Sequence, residues 1–159
     1  MYGVPYVIEK TGRNTKLVDI IQIILIMVKP TQMSYVHSNL NHYVHSVIQQ
    51  LLWLNSVSDE DIELYIKSPG GSVTDGLAVK DVIDSISCKV NTIGMGCCAS
   101  MGAYLLSCGT GVRRGTKNLR YMIHSVSSGN MGTVHDMRVS MKETDFLQEL
   151  LMRDIASFS

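Results

Sequence analysis

The sequence predicts a single α/β domain built from right-handed βαβ units. Three observations carry the prediction. Short apolar runs of strand length alternate with longer segments whose apolar residues recur every three or four positions. Glycine-rich breaks separate the two kinds of segment. The composition is that of a folded chain: 45% of the 159 residues are hydrophobic and 18% charged, enough apolar material for one core.

The elements follow in chain order. Residues 1–16 carry Gly3, Pro5, Gly12 and several charges, and read as a flexible N-terminal arm. Residues 18–28 are rich in Ile and read as a strand that Pro30 ends. The greasiest part of that strand is far shorter than the ~20 residues that cross a bilayer, so no membrane span is expected. Over 34–54 the positions Val36, Leu40, Tyr43, Val44, Val47, Ile48, Leu51 and Leu52 form one apolar helix face. Residues 55–61 are polar and acidic, a loop. Ile62, Leu64 and Ile66 alternate with polar neighbours, as a strand over 62–66 requires. Ser68-Pro69-Gly70-Gly71 breaks that strand. Helical spacing returns over 73–86 through Leu77, Val79, Val82 and Ile83. Residues 89–93 read as a short strand, 94–99 as a tight turn of small residues, and 100–107 as an apolar helix. A glycine-rich basic loop over 109–115 leads to a strand over 120–124. A polar loop over 125–132 precedes a long amphipathic helix over 134–158.

Charge and cysteine content narrow the function classes. Fourteen Lys and Arg balance fourteen Asp and Glu, so no basic field exists to hold nucleic acid. Cys88, Cys97, Cys98 and Cys108 lack a CxxC spacing and lie in apolar context. They read as buried free thiols, in keeping with a reducing cytosol and no bound metal. The N-terminus has no basic start followed by an apolar core, so a cytoplasmic location is expected.

Chemistry concentrates at two strand-to-helix turns. In Ser68-Pro69-Gly70-Gly71, adjacent glycines allow positive φ and let amides point into a cleft. In Gly96-Cys97-Cys98-Ala99-Ser100-Met101-Gly102, a serine at a sharp strand-to-helix turn stands clear of the backbone beside helix amides. Ser100 is the candidate nucleophile. The amides of Met101 and Gly71 are candidate oxyanion donors, worth roughly 3–4 kcal/mol each in one measured case. A serine needs a base. Of five histidines, His124 ends an apolar strand and enters a glycine-rich loop, where α/β folds gather their active-site groups. His37, His42 and His45 fall on the earlier helix, and His135 opens the last one. His42 and His45 share a face but have no third ligand nearby, so no metal site is expected.

These residues resemble the proteolytic-subunit family of the ATP-dependent caseinolytic proteases, the ClpP family of serine peptidases. The resemblance rests on L-Y-I-K-S-P-G-G-S-V-T-D-G-L-A-V at 64–79, C-C-A-S-M-G-A-Y-L-L at 97–106 and Y-M-I-H at 121–124, and the arm is similar to the family's N-terminal segment. It implies a crotonase-like α/β fold of repeated β-β-α and βαβ units with a long C-terminal handle helix. It also implies Ser100 as nucleophile, His124 as general base and Gly71 and Met101 as the oxyanion hole. The expected function is a serine endopeptidase that degrades unfolded polypeptides to peptides. Implied partners are copies of itself, as heptameric rings stacked into a tetradecamer, and a hexameric AAA+ unfoldase that spends the ATP. No cofactor is implied for the peptidase itself. Residues 16–46 depart from the family pattern. The family's third catalytic residue is an aspartate beyond the handle, and Asp136, Asp145 and Asp154 do not match it. The sequence therefore implies that part of the family domain is missing at the C-terminus. The alternative reading is a truncated or non-catalytic subunit acting only in assembly. An acyl-CoA enzyme of the crotonase type is a third.

Overall fold

The computed structural model of the chain, which describes residues 6–11, 14–19, 23–28, 32–34, 40–129 and 131–158, is mixed α/β, with four strands before the first helix. The first two strands, β1 (Tyr6–Thr11) and β2 (Asn14–Asp19), pair antiparallel as a separate two-stranded sheet. Much of the presumed arm is therefore strand, because Val7, Ile8, Thr11, Thr15 and Val18 favour extended backbone. Residues 1–5 and 12–13 lie outside the described residues. The single strand expected over 18–28 is instead the end of β2 and a separate β3 (Ile23–Val28), with 20–22 not described. A short β4 (Gln32–Ser34) pairs antiparallel with β3. It takes residue 34, so the first helix, α1 (Leu40–Val57), starts later than its apolar spacing implied.

Helix α1 also runs past the position where a loop was expected. Asn55 stays helical while its side-chain oxygen accepts from the Ser87 amide, the Ser87 hydroxyl and the Cys88 amide at 3.0, 2.9 and 3.1 Å. One side chain thus joins the end of α1 to the exit of the second helix, a long-range bond that no local pattern encodes.

The main sheet has the order β4-β3-β5-β6-β7, with β8 also on β6. Its centre is β5 (Ile62–Ser68), antiparallel to β3 and parallel to β6 (Val90–Ala99). Ile62, Leu64 and Ile66 are completely buried, and each stabilises the fold by about 1.5–3 kcal/mol. Helix α2 (Val73–Ser85) is started by Ser72, whose side chain accepts from the Asp75 amide. Val47 and Leu51 of α1, Val79 and Ile83 of α2, and Met101, Tyr104 and Leu105 of α3 (Met101–Ser107) join the β5 and β6 side chains in one core.

Strand β6 is twice as long as the sequence implied, because 94–99 is strand and not turn. The small residues there serve packing and a bulge. A Cβ on Gly94 would come within 2.6 Å of the Leu106 side chain. Gly96 takes φ +61°, and the pairing with β5 slips between Ile66 opposite Gly94 and Ser68 opposite Cys98. The bulge divides β6 between two partners. β7 (Arg113–Gly115) runs parallel to Thr92–Gly94, and β8 (Arg120–Met122) runs parallel to Cys97–Ala99.

Burial corrects the cysteine reading at one position. Cys88, Cys98 and Cys108 are buried, and their thiols bond to the carbonyls of Ser58, Ile66 and Tyr104. Burial pushes the Cys108 thiol up to about 12. Cys97 is exposed: Gly96 and Cys97 both face out beside the slipped β5 register, and Cys98 and Ala99 are both buried.

The last helix, α4 (Val134–Ser157), begins with a capping box between Thr133 and Asp136. Those bonds hold the Asp136 carboxyl below its ordinary range. Its C-terminal half touches the core through Leu151, Ile155 and Phe158. The Tyr104 hydroxyl donates to Asp154 Oδ2 at 2.6 Å, and burial followed by this acceptor raises the phenol well above its usual range. Val134, Val139, Met141, Phe146 and Met152 of α4 are all more than half exposed. Among the described residues no helix is long and apolar enough to cross a membrane.

Candidate active site

Ser100 follows β6 directly and caps α3. Its backbone has φ 53° and ψ −125°, the positive φ of a non-glycine residue that stands alone among the described residues. Such a conformation costs about 1–3 kcal/mol and persists only where neighbours enforce it. Here they do. The Ser100 amide donates to the Met122 carbonyl of β8 at 2.9 Å, and the Ser100 carbonyl accepts from Ala103 and Tyr104. The side chain makes no capping bond. Ser100→Gly is therefore expected to stabilise the chain by about 1 kcal/mol, the released strain exceeding the extra chain entropy of glycine. Urea unfolding curves of the two chains check this, and an equal or lower midpoint for the variant contradicts it.

The other turn is pressed against this one. Gly70 has φ +104°, and a Cβ there would lie 2.6 Å from Ser100 Cβ and 2.9 Å from the Ala99 carbonyl oxygen. A Cβ on Gly102 would lie 2.7 Å from the Ser68 carbonyl oxygen. Glycine at both positions lets the β5–α2 turn sit against the start of α3, which brings Gly71 beside Ser100. The Met101 amide is in the first turn of α3 and has no intrahelical partner, so it is available to an anion.

His124 arrives from β8. Ala99 stands opposite Met122 in the parallel pairing, and the Ser100–Met122 hydrogen bond extends it. Two residues later the chain is still beside the elbow. The imidazole is exposed, with Nδ1 2.6 Å from the Ser125 carbonyl oxygen. A carbonyl can only accept, so Nδ1 carries a proton, and in the neutral ring Nε2 is then the nitrogen with the lone pair.

All four predicted residues, Ser100, His124, Gly71 and Met101, line one open cleft. No hydrogen bond joins the Ser100 hydroxyl to the His124 ring among the described residues. No described hydrogen bond joins His124 to a carboxylate; Asp154 is bonded to Tyr104 and Asp136 to Thr133. His45 and His135 are exposed and away from the cleft; His37 and the His42 side chain lie outside the described residues. No cluster of three metal-ligating side chains occurs among the described residues.

The far wall of the cleft was not anticipated. Gln148, Leu151, Met152 and Ile155 of α4 and Val126 of the preceding loop complete it. Their helical spacing was legible in the sequence, but the direction in which α4 folds back was not. The wall is apolar apart from Gln148 and includes no carboxylate. A family model described as Clp protease matches residues 13–159 of the chain.

Proposed function

This chain belongs to the Clp protease family, and on that premise we propose that it is a serine-type endopeptidase subunit acting on unfolded polypeptide. The observation that carries the proposal is the strained Ser100 elbow, which shares one cleft with His124 and with the amides of Gly71 and Met101. In this reading Ser100 Oγ attacks the peptide carbonyl while His124 Nε2 takes its proton. The carbonyl oxygen, now an anion, accepts from the Met101 and Gly71 amides. The proton passes from His124 to the leaving amine as the C–N bond breaks, and water, deprotonated by the same nitrogen, releases the acyl group from Ser100. The Ser125 carbonyl holds Nδ1–H, a position that a carboxylate fills in a complete triad. The apolar wall of Val126, Leu151, Met152 and Ile155 suits an apolar substrate side chain next to the cleaved bond. An extended substrate would pair through its main chain beside the turn at 68–71, which tolerates many sequences.

Membership in this family implies, in general terms, oligomeric assembly and an ATPase partner. The more specific arrangement belongs to the proposal: a crotonase-like domain over 1–159, stacked heptameric rings in the cytoplasm, and an AAA+ unfoldase feeding them. The exposed apolar side chains of α4 support burial against another subunit. A fluorophosphonate probe tests the chemistry: mass spectrometry is expected to find the label on the peptide containing Ser100. Label confined to other residues, or none at all, rejects serine catalysis. A second reading, a subunit acting only in assembly, draws support from the lack, among the described residues, of a hydrogen bond between Ser100 and His124 and of a carboxylate bonded to that ring. It requires co-purification with an intact relative while this chain alone hydrolyses nothing.

A further inference from the structure

His124 sits midway between two anchors. Two residues before it, the Met122 carbonyl accepts from the Ser100 amide. Two residues after it, the Val126 amide donates to Gln148 Oε1 of α4 at 2.6 Å. The first anchor is backbone and part of the sheet. The second is a side chain reaching across from a helix, partly buried at both ends. Because the Val126 amide can only donate, the oxygen of Gln148 must face it, which fixes the orientation of the whole amide group. One helical turn earlier, Thr144 Oγ1 lies 3.0 Å from Ser128 Oγ. Positions 144 and 148 share a face of α4, so the helix grips the segment after His124 at two successive points. Gln148 is also the one polar side chain that α4 contributes to the cleft lining.

We propose that Gln148 is a positioning residue for His124: by accepting from the Val126 amide it holds the histidine-bearing segment against α4 and keeps the imidazole facing the Ser100 elbow. The proposal rests on the reading of His124 as the base. A loose segment would let the ring, exposed and with one described hydrogen bond, to the neighbouring Ser125 carbonyl, sample orientations pointing away from Ser100. Misplacement of a reacting group by about 1 Å costs up to roughly 100-fold in rate, so a lost anchor outside the reacting atoms has a measurable effect. The effect falls on proton transfer and not on substrate affinity, which separates it from a general loosening of the cleft.

The test compares Gln148→Leu, which keeps the size and loses the acceptor, with Gln148→Glu, which keeps an acceptor oxygen. Two readouts are taken on the full chain. The first is independent of catalysis: hydrogen exchange of the Val126 amide and the ¹⁵N resonances of the His124 ring, which report its tautomer. The second is the rate of Ser100 modification by a fluorophosphonate, with kcat and KM on a short peptide. Gln148→Leu is expected to speed Val126 exchange and mix the ring tautomers, and to slow modification by about 10- to 100-fold with KM little changed. Gln148→Glu is expected to recover both readouts. Unchanged Val126 exchange and ring spectrum in Gln148→Leu overturns the proposal whatever the activity, and so does Gln148→Glu behaving like Gln148→Leu. If the ring readout responds while the wild-type chain never labels at Ser100, the positioning role stands and the catalytic reading fails.

Discussion

His124→Ala is expected to lower peptide turnover by at least about 10⁴-fold, with the unfolding midpoint almost unchanged. The stability half of this expectation follows from exposure: the ring makes one described hydrogen bond, to the adjacent Ser125 carbonyl, and its removal uncovers no core residue. The kinetic half follows from the chemistry. Serine is a weak nucleophile at neutral pH, and the described cleft lining offers no other imidazole or carboxylate to take its proton. Residues that act as a unit are strongly non-additive, so Ser100→Ala and the double variant should fall to the same residual rate as His124→Ala. Turnover of the double variant far below either single variant would mean that the two side chains act in separate events. Turnover by His124→Ala close to that of the wild-type chain would remove the imidazole from the mechanism.

Gly70→Ala should damage stability and activity together. The position has φ +104°, which an L side chain adopts only under strain. The new methyl would lie 2.6 Å from Ser100 Cβ, 2.9 Å from the Ala99 carbonyl oxygen and 3.1 Å from the Met101 amide nitrogen. Those atoms belong to the turn that holds Ser100 at φ 53°, so they can yield only by moving the elbow. A loss of about 3–4 kcal/mol is expected, roughly 1–2 from the backbone and the rest from overpacking. Because the displaced groups are the proposed nucleophile and an oxyanion donor, labelling at Ser100 should fall about 100-fold in the fraction that still folds. Gly96→Ala is the contrast. Its φ is also positive, at +61°, but the nearest atoms to a new methyl are those of the Lys67 side chain at 3.7 Å. It should cost only about 1 kcal/mol and leave labelling intact. Calorimetry with the labelling assay distinguishes the two variants. Equal behaviour would show that backbone strain alone, and not contact between the two turns, governs position 70.

The glycines also mark where sequence reasoning misplaced a boundary. Gly94 and Gly96 looked like a turn because small residues usually serve bends. In the structure they are strand: one makes room for Leu106 and Leu119, and the other forms a bulge beside the slipped β5 register. The reversal itself takes place within Ser100. Composition gives small residues the same appearance in either role, and the atoms that distinguish them come from 106 and 119. The continuation of α1 through Asn55 follows the same logic, since its partners Ser87 and Cys88 are distant in the chain.

Sequence alone determined the local matters. Apolar periodicity placed α1, α2, α3 and α4 and the buried face of β5, and turn chemistry singled out Gly71, Ser100, Met101 and His124 as candidates. These follow from interactions within a few residues, which the order of side chains encodes directly. The tertiary structure decided the sharing of β6 between β7 and β8, the contact of Gly70 with the elbow, the outward turn of Cys97, and the return of α4 with Gln148 and Leu151 to wall the cleft. Each of these depends on two segments far apart in the chain being packed together, and the excluded volume and hydrogen bonds that select such a packing exist only once both are in place.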